Sequence, residues 1–463
     1  MKLCIINGSP KGKYSITLQT VLYLQEKFPE HQFTYLHAGQ KIKAYEKDIA
    51  PAVEQMKAAD VLVFAYPVYT FLAPSQLHRF IELIKASGVN LSGKFASQIS
   101  TSKHFYDVTA HRYISDNCHD LGLRVVHGLS ADMEDLLTEQ GRHEAESFFR
   151  YLEYCARRGI CEPVPGGKKK MVVCEPERMD EGKKEADRLA WQKINKRNFE
   201  NEQKEEMKYN TVIVADVKED DTILQGIIRD FTEVYPYPVR VVNIAEYPFS
   251  GGCLGCFSCA GDGKCIYKDD FDRFLRDEIQ TADAVVYAFT IKDHCMGARF
   301  KMYDDRQFCN GHRTVTEGMP FAYLVSGDYE NEPNLRMVIE ARCEVGHNFL
   351  GGVAYDADSL CKTAERLAYA VREHYVQPRN FYGVGGMKIF RDLIWLMRGI
   401  MKADHVFYKK HGIYDFPQRR RGYMIKMSFL GSLLRNPKVK AKMGNKMNEG
   451  MIAPYQKIIQ QVK

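Results

Sequence analysis

The chain has 463 residues, 45% hydrophobic and 27% charged, which suits a packed globular protein of several domains and excludes an intrinsically disordered one. The net charge of +6 is unevenly placed: residues 381–463 hold 17 Lys and Arg against 4 Asp and Glu, or +13, leaving −7 on residues 1–380. No uncharged apolar run of membrane-spanning length occurs, and Met1-Lys2-Leu3-Cys4-Ile5-Ile6 is too short for a secretory segment, so a cytoplasmic protein is expected.

Apolar, β-branched runs predict strands at 2–6, 32–36, 60–65, 93–100 and 124–130. Helical periodicity fills the gaps, the pattern of a parallel sheet covered on both faces. The series then repeats, with strands expected at 211–215, 239–245, 282–289, 320–325 and 349–355. Ala58-Ala59-Asp60-Val61-Leu62-Val63-Phe64-Ala65 matches Thr281-Ala282-Asp283-Ala284-Val285-Val286-Tyr287-Ala288, 223 positions later. At the first strand the offset is about 208, so the second copy carries an insertion of about 15 residues before its third strand. The expected fold is α/β: two tandem flavodoxin-like, doubly wound parallel sheets of order 2-1-3-4-5, then a basic, mainly helical C-terminal extension. The corresponding segments are 1–160, a charged linker over 161–209, a second domain over 210–376, and the extension over 377–463.

After the first strand comes Asn7-Gly8-Ser9-Pro10-Lys11-Gly12-Lys13-Tyr14-Ser15-Ile16-Thr17. Glycines that admit backbone N–H groups, hydroxyl donors and a helix N-terminus together make a phosphate cradle. The segment lacks the Gly-Lys-Ser/Thr ending of a P-loop and the Gly-x-Gly-x-x-Gly of a dinucleotide site. An ordinary strand-to-helix turn with a hydroxyl N-cap is the competing reading. At the carboxyl end of the third strand, where open α/β sheets bind ligands, Tyr66-Pro67-Val68-Tyr69-Thr70 offers a stiff aromatic edge for a planar ring.

These segments, with Gln76-Leu77 and Phe80-Ile81, resemble the NAD(P)H-dependent FMN reductase branch of the flavodoxin-like superfamily over about residues 1–150. The resemblance implies an FMN phosphate held by Ser9, Ser15 and Thr17 and an isoalloxazine ring against Pro67 to Thr70. The implied cofactor-binding set is Ser9, Pro10, Lys11, Ser15, Thr17, Pro67, Val68, Tyr69, Thr70, Thr101 and Ser102. The loop Thr101-Ser102-Lys103-His104 lacks the glycine pair common in that branch. His104 is the one candidate proton donor, against its reading as a surface-loop histidine.

The insertion of the second copy contains Cys253-Leu254-Gly255-Cys256-Phe257-Ser258-Cys259, with Cys265 after Gly261 and Gly263. The spacing C-x2-C-x2-C-x5-C offers four thiolates to one compact centre, as a 4Fe-4S cluster requires. A zinc site or an unliganded knot are the other readings. The string, followed by Asp269-Asp270-Phe271, resembles the compact cysteine motif of the archaeal and bacterial iron-sulfur flavoproteins over about residues 210–375. In that family dimerisation brings one subunit's cluster near the other's FMN, which implies here an internal pseudo-dimer with FMN on the first copy and the cluster on the second. The second copy's own phosphate loop reads Ala215-Asp216-Val217-Lys218-Glu219-Asp220-Asp221, whose four acidic side chains repel a dianion.

The function expected is FMN- and 4Fe-4S-dependent transfer of electrons to a small-molecule acceptor, from a ferredoxin-like donor or NAD(P)H. The alternatives are an NAD(P)H-dependent FMN or quinone reductase with a structural cysteine knot, and a non-catalytic electron carrier or redox sensor. In the extension, the helical pattern of 388–401 suits packing over the domain interface, with an anionic membrane surface as the alternative. The later bases, Arg419 to Lys442, suit docking to a membrane surface or an acidic protein, with no nucleic acid expected.

Overall fold

The computed structural model describes residues 1–159, 161–162, 209–376, 381–436 and 438; the linker expected over 161–209 lies almost wholly outside them. The first sheet is built from β1 (Lys2–Asn7), β2 (Gln32–Leu36), β3 (Val61–Pro67), β4 (Phe95–Ser102), β5 (Arg124–Val125) and β6 (Leu129–Asp132). Its helices are α1 (Ile16–Lys27), α2 (Ala38–Tyr45), α3 (Ala50–Ala58), α4 (Ser75–Ala86), α5 (Asp107–Asp120) and α6 (Glu139–Arg158). The strands are parallel in the order β2-β1-β3-β4-β5. The fifth strand, expected as one run over 124–130, is split: β5 pairs the start of β4 and β6 its end. The cause is local. The Ser97 hydroxyl donates to the carbonyls of Val126 and His127, and a Cβ on Gly128 would strike the Gln98 backbone, so the chain bows away between the two pairings.

The second sheet contains β7 (Thr211–Asp216), β8 (Val239–Asn243), β9 (Ala284–Thr290), β10 (Phe321–Ser326) and β11 (Leu350–Ala354). Its longer helices are α7 (Thr222–Val234), α8 (Gly297–Arg306), α9 (Pro333–Gly346) and α10 (Ala357–Arg372). Its order, β8-β7-β9-β10-β11, is the same 2-1-3-4-5. Between second and third strands the first copy has residues 37–60 and the second 244–283, which locates the insertion.

Strands buried on both faces explain the continuous apolar runs. In β1, Leu3 and Ile5 pack with Leu18, Val21 and Phe149, whereas Cys4 and Ile6 face a cluster that also holds Val212 and Val214 of β7. One core therefore runs through both copies.

Two helices make the junction. The amide of Ser75, opening α4, donates to the Asp305 carboxylate at 2.8 Å, and the amide of Ala298, at the start of α8, donates to Glu82 at 2.7 Å. Each helix N-terminus is thus capped by an acid from the other copy. Ser75 and Ala298, like Glu82 and Asp305, stand 223 positions apart, the offset of the sequence repeat, so the two contacts are one contact made twice. Lys301, fully buried, joins them: its ammonium donates to the Tyr69 carbonyl at 3.0 Å and pairs with Asp305 and Asp304, and Arg342 reaches Asp304 at 2.8 Å.

In the extension, α11 (Phe381–Leu396) buries Gly383, Gly386, Met387, Arg391 and Ile394. A Cβ on Gly386 would meet Phe105 of the first copy and Val345 of the second, and Phe390 packs on Phe105 at 4.5 Å. This helix packs across both copies. Two more helices follow, α12 (Lys402–Lys410) and α13 (Arg421–Leu434). The described residues up to 405 form one compact unit and those from 406 a second.

Candidate functional site

At the end of β1 the chain turns under tight steric control. The Asn7 side chain accepts from the Ser9 amide at 3.1 Å and donates to the Gly12 carbonyl at 3.1 Å, closing the loop on itself. Gly12 stands at φ +55°, the left-handed region that favours glycine. Ser15 caps α1 by accepting from the Leu18 amide at 3.3 Å. The buried Thr17 hydroxyl, by contrast, has no hydrogen-bond partner, nor does that of Thr101 at the end of β4. Both line a single cavity of about 450 Å³. Two hydroxyls without a partner on one cavity wall leave their hydrogen-bonding capacity open to a polar ligand atom.

The aromatic edge forms a tight turn, with Thr70 at φ +47° and Phe71 at φ +68° and an antiparallel bridge between Tyr69 and Leu72. The second copy repeats it 223 positions later, with Asp293 at φ +49°, His294 at φ +64° and a bridge from Lys292 to Cys295. Tyr69 is buried against Phe308 of the second copy at 5.6 Å, and burial holds its phenol well above the usual range.

The cysteine segment lies directly over this loop. The Gln76 amide donates to the Cys253 carbonyl at 3.2 Å, and the Lys11 ammonium stands 5.2 Å over the Phe257 ring. Its glycines are needed for that approach: a Cβ on Gly252 would lie 2.6 Å from the Ser75 hydroxyl, and Gly255, at φ +60°, faces the Tyr69 hydroxyl. Arg306 anchors the segment from below, donating to the Gly251 carbonyl at 2.9 Å and to Asp269 at 2.6 and 2.9 Å, with its guanidinium against the Tyr267 and Phe271 rings. Burial opposes ionisation of Asp269, but the Arg306 hydrogen bonds prevail and hold its carboxyl down to about 2.

All four thiols, Cys253, Cys256, Cys259 and Cys265, line the same cavity as the phosphate loop. The Gly255 amide points at the Cys253 sulfur at 3.4 Å and the Cys259 thiol donates to the Phe308 carbonyl at 3.2 Å. Among the described residues, the only three ligand atoms gathered within 4.8 Å of one another are on Glu30, His31 and Glu153.

Of the residues singled out from sequence, Ser9, Lys11, Ser15, Thr17, Pro67, Val68, Tyr69, Thr70, Thr101 and Ser102 line the cavity with the four cysteines. Pro10 is buried but is not on its wall. His104 is not on the wall either; its half-exposed ring bonds Asp107 at 3.1 Å. Phe308 and Cys309 also line it, supplied by the turn after α8; burial pushes the Cys309 thiol up to about 12. No local pattern marks Cys309 in the sequence, and only the packing of α8 on α4 reveals its place.

At the second copy's phosphate loop, Asp221 occupies the capping role of Ser15, accepting from the Leu224 amide at 3.1 Å, and its other oxygen accepts from Thr290. Burial raises the Asp216 carboxyl to about 6. Carboxylates thus stand where the first copy offers hydroxyls.

A family described as having a flavodoxin-like fold matches residues 1–152. The N-terminal region is a flavodoxin-like domain. An iron-sulfur flavoprotein of Archaeoglobus fulgidus is 25% identical over 177 residues, 35% of this chain and 78% of that relative. Similar solved structures include an FMN-dependent NADH-azoreductase from Bacillus anthracis in complex with FMN, at 16% identity, covering 34% of this chain and 98% of that one, TM-score 0.27. Another is an NAD(P)H:quinone oxidoreductase from Methanothermobacter marburgensis, at 14% identity over 35% and 98% of the two chains, TM-score 0.27. The flavodoxin-like domain and the second sheet share one strand order, so the chain carries the architecture twice.

Proposed function

We propose that the chain is a flavin- and iron-sulfur-dependent oxidoreductase, with FMN on the flavodoxin-like domain and a 4Fe-4S cluster on Cys253, Cys256, Cys259 and Cys265. The observation that carries this reading is the shared cavity, walled by the phosphate loop and aromatic edge of one copy and by all four cysteines of the other. Ser9, Ser15 and Thr17 would hold the phosphate at the N-terminus of α1, with Lys11 adding positive charge. Pro67 to Thr70 would support the ring, and the orphaned Thr101 hydroxyl is available to one of its polar atoms. Bound there, the two groups would supply one-electron exchange at the cluster and one- or two-electron exchange at the flavin.

The chain's own residues position and insulate. Tyr69 stays a neutral phenol through the physiological range because burial disfavours its anion, so it can donate a hydrogen bond without adding charge. Phe105, Met133, Val345, Phe390 and Leu393 give the cavity apolar walls that exclude water. A small-molecule acceptor would enter this space, with a ferredoxin-like protein or NAD(P)H as the donor.

The test exchanges Cys256 for Ser and follows turnover from reduced ferredoxin and from NADPH. The expected variant keeps its flavin and loses turnover from ferredoxin. Unchanged turnover from ferredoxin would contradict the proposal, and vigorous NADPH turnover by both proteins would favour a plain flavin reductase with a structural knot.

A further inference from the structure

We infer that α13 is a peripheral membrane anchor that seats on an anionic lipid surface. In a water-soluble fold a helix of this composition is buried, yet Tyr423 is 62%, Ile425 70% and Phe429 67% exposed, with Met424 and Leu433 also exposed. Its apolar side chains form two stripes at helical spacing, Ile425, Phe429 and Leu433 on one and Tyr423, Met427 and Leu430 on the other. Lys426 stands between them, and Ser428 and Ser432 continue the narrow polar strip that begins at Arg421.

Charge selects the occupant. Among the described residues of 406–438, Lys409, Lys410, Arg419, Arg420, Arg421, Lys426, Arg435 and Lys438 face only one acid, Asp415. The bases flank the apolar stretch at both ends, with Lys426 able to extend its ammonium out of an apolar layer. A groove on an acidic protein would cover one stripe and leave the other in water. A bilayer interface covers both while its phosphates meet the flanking bases. Fourteen residues of helix span about 21 Å, short of the hydrocarbon thickness of about 30 Å. No described helix is long and apolar enough to cross a membrane, so the geometry is that of a helix lying in the interface.

Flotation of the full chain with lipid vesicles tests this independently of any cofactor. The protein is expected to float with vesicles of phosphatidylcholine mixed with phosphatidylglycerol at low salt, and weakly or not at all with phosphatidylcholine alone. Arg420→Gln with Arg421→Gln should weaken binding about 30-fold. Ile425→Ala with Phe429→Ala should weaken it at least about 10-fold, with flavin and iron content unchanged in both variants. Failure to float with the anionic vesicles overturns the proposal. So does flotation undiminished by the alanine pair, which would mean adsorption by charge alone. Light scattering without lipid guards the remaining case: a dimer abolished by the alanine pair would make the face an interface between copies and overturn the membrane assignment.

Discussion

The two copies keep the same strand order and the same turn after the third strand, and differ in the side chains these carry. The turn after the third strand has the same two left-handed residues in each, and the helix after it receives the same carboxylate cap from the opposite copy. At the phosphate loop, the first copy has hydroxyls at Ser9, Ser15 and Thr17 where the second has Asp216, Glu219, Asp220 and Asp221. At the turn itself, Phe71 in the first copy corresponds to His294 in the second, whose imidazole bridges Asp120 and Glu332 at 2.9 Å each. Backbone geometry and inter-copy caps therefore preserve the architecture, while a handful of side chains sets the charge that each phosphate loop offers. The second copy gained the cysteine segment in the interval where its loop lengthened, and the glycines of that segment let it close over the first copy.

Removing a cap should break the comparison most severely. Asp305→Ala leaves the Lys301 ammonium buried with one fewer carboxylate and the Ser75 amide uncapped, an expected loss of about 3–5 kcal/mol, measurable by denaturant unfolding. Glu82→Ala, at the equivalent position, leaves no fully buried lysine behind and should cost less, about 1–2 kcal/mol.

A smaller effect is expected at the junction histidine. Hydrogen bonds from His294 to Asp120 and Glu332 raise its pKa to about 10, above its ordinary value of about 6.5. A group raised in the folded state stabilises fully below its unfolded value and loses that contribution as pH climbs through the folded one. His294→Gln should therefore destabilise by about 2 kcal/mol near pH 6, and the deficit should shrink as pH rises toward 10. A deficit that stays flat over that interval would show that the imidazole is held neutral.

Smallest in free energy is the loss of one phosphate hydroxyl. Thr17→Val keeps shape and removes a donor with no partner of its own, so fold stability should hold while flavin affinity falls about tenfold or more in equilibrium titration. A hydroxyl removed from the second copy, Thr290→Val, should leave flavin affinity untouched, because that hydroxyl already serves Asp221.

Much of this was legible in the amino-acid order. Strands that are buried on both faces announce themselves as β-branched runs, and their predicted limits lie within about two residues of the observed ones at most positions. The cysteine spacing and the hydroxyl-rich loop are local patterns, visible as such. The break between β5 and β6 was not visible, because it depends on the Ser97 hydroxyl reaching across to the neighbouring strand. Nor were the reciprocal caps of Glu82 and Asp305, or the place of Phe308 and Cys309 on the cavity wall. Those depend on α8 docking against α4, a contact between residues more than 200 positions apart that no local periodicity encodes.

The most direct test of the division of labour is the cofactor content of the full chain purified anaerobically. One FMN with about four irons and four acid-labile sulfides per chain is expected. Two FMN per chain, or zinc without labile sulfide, would contradict it.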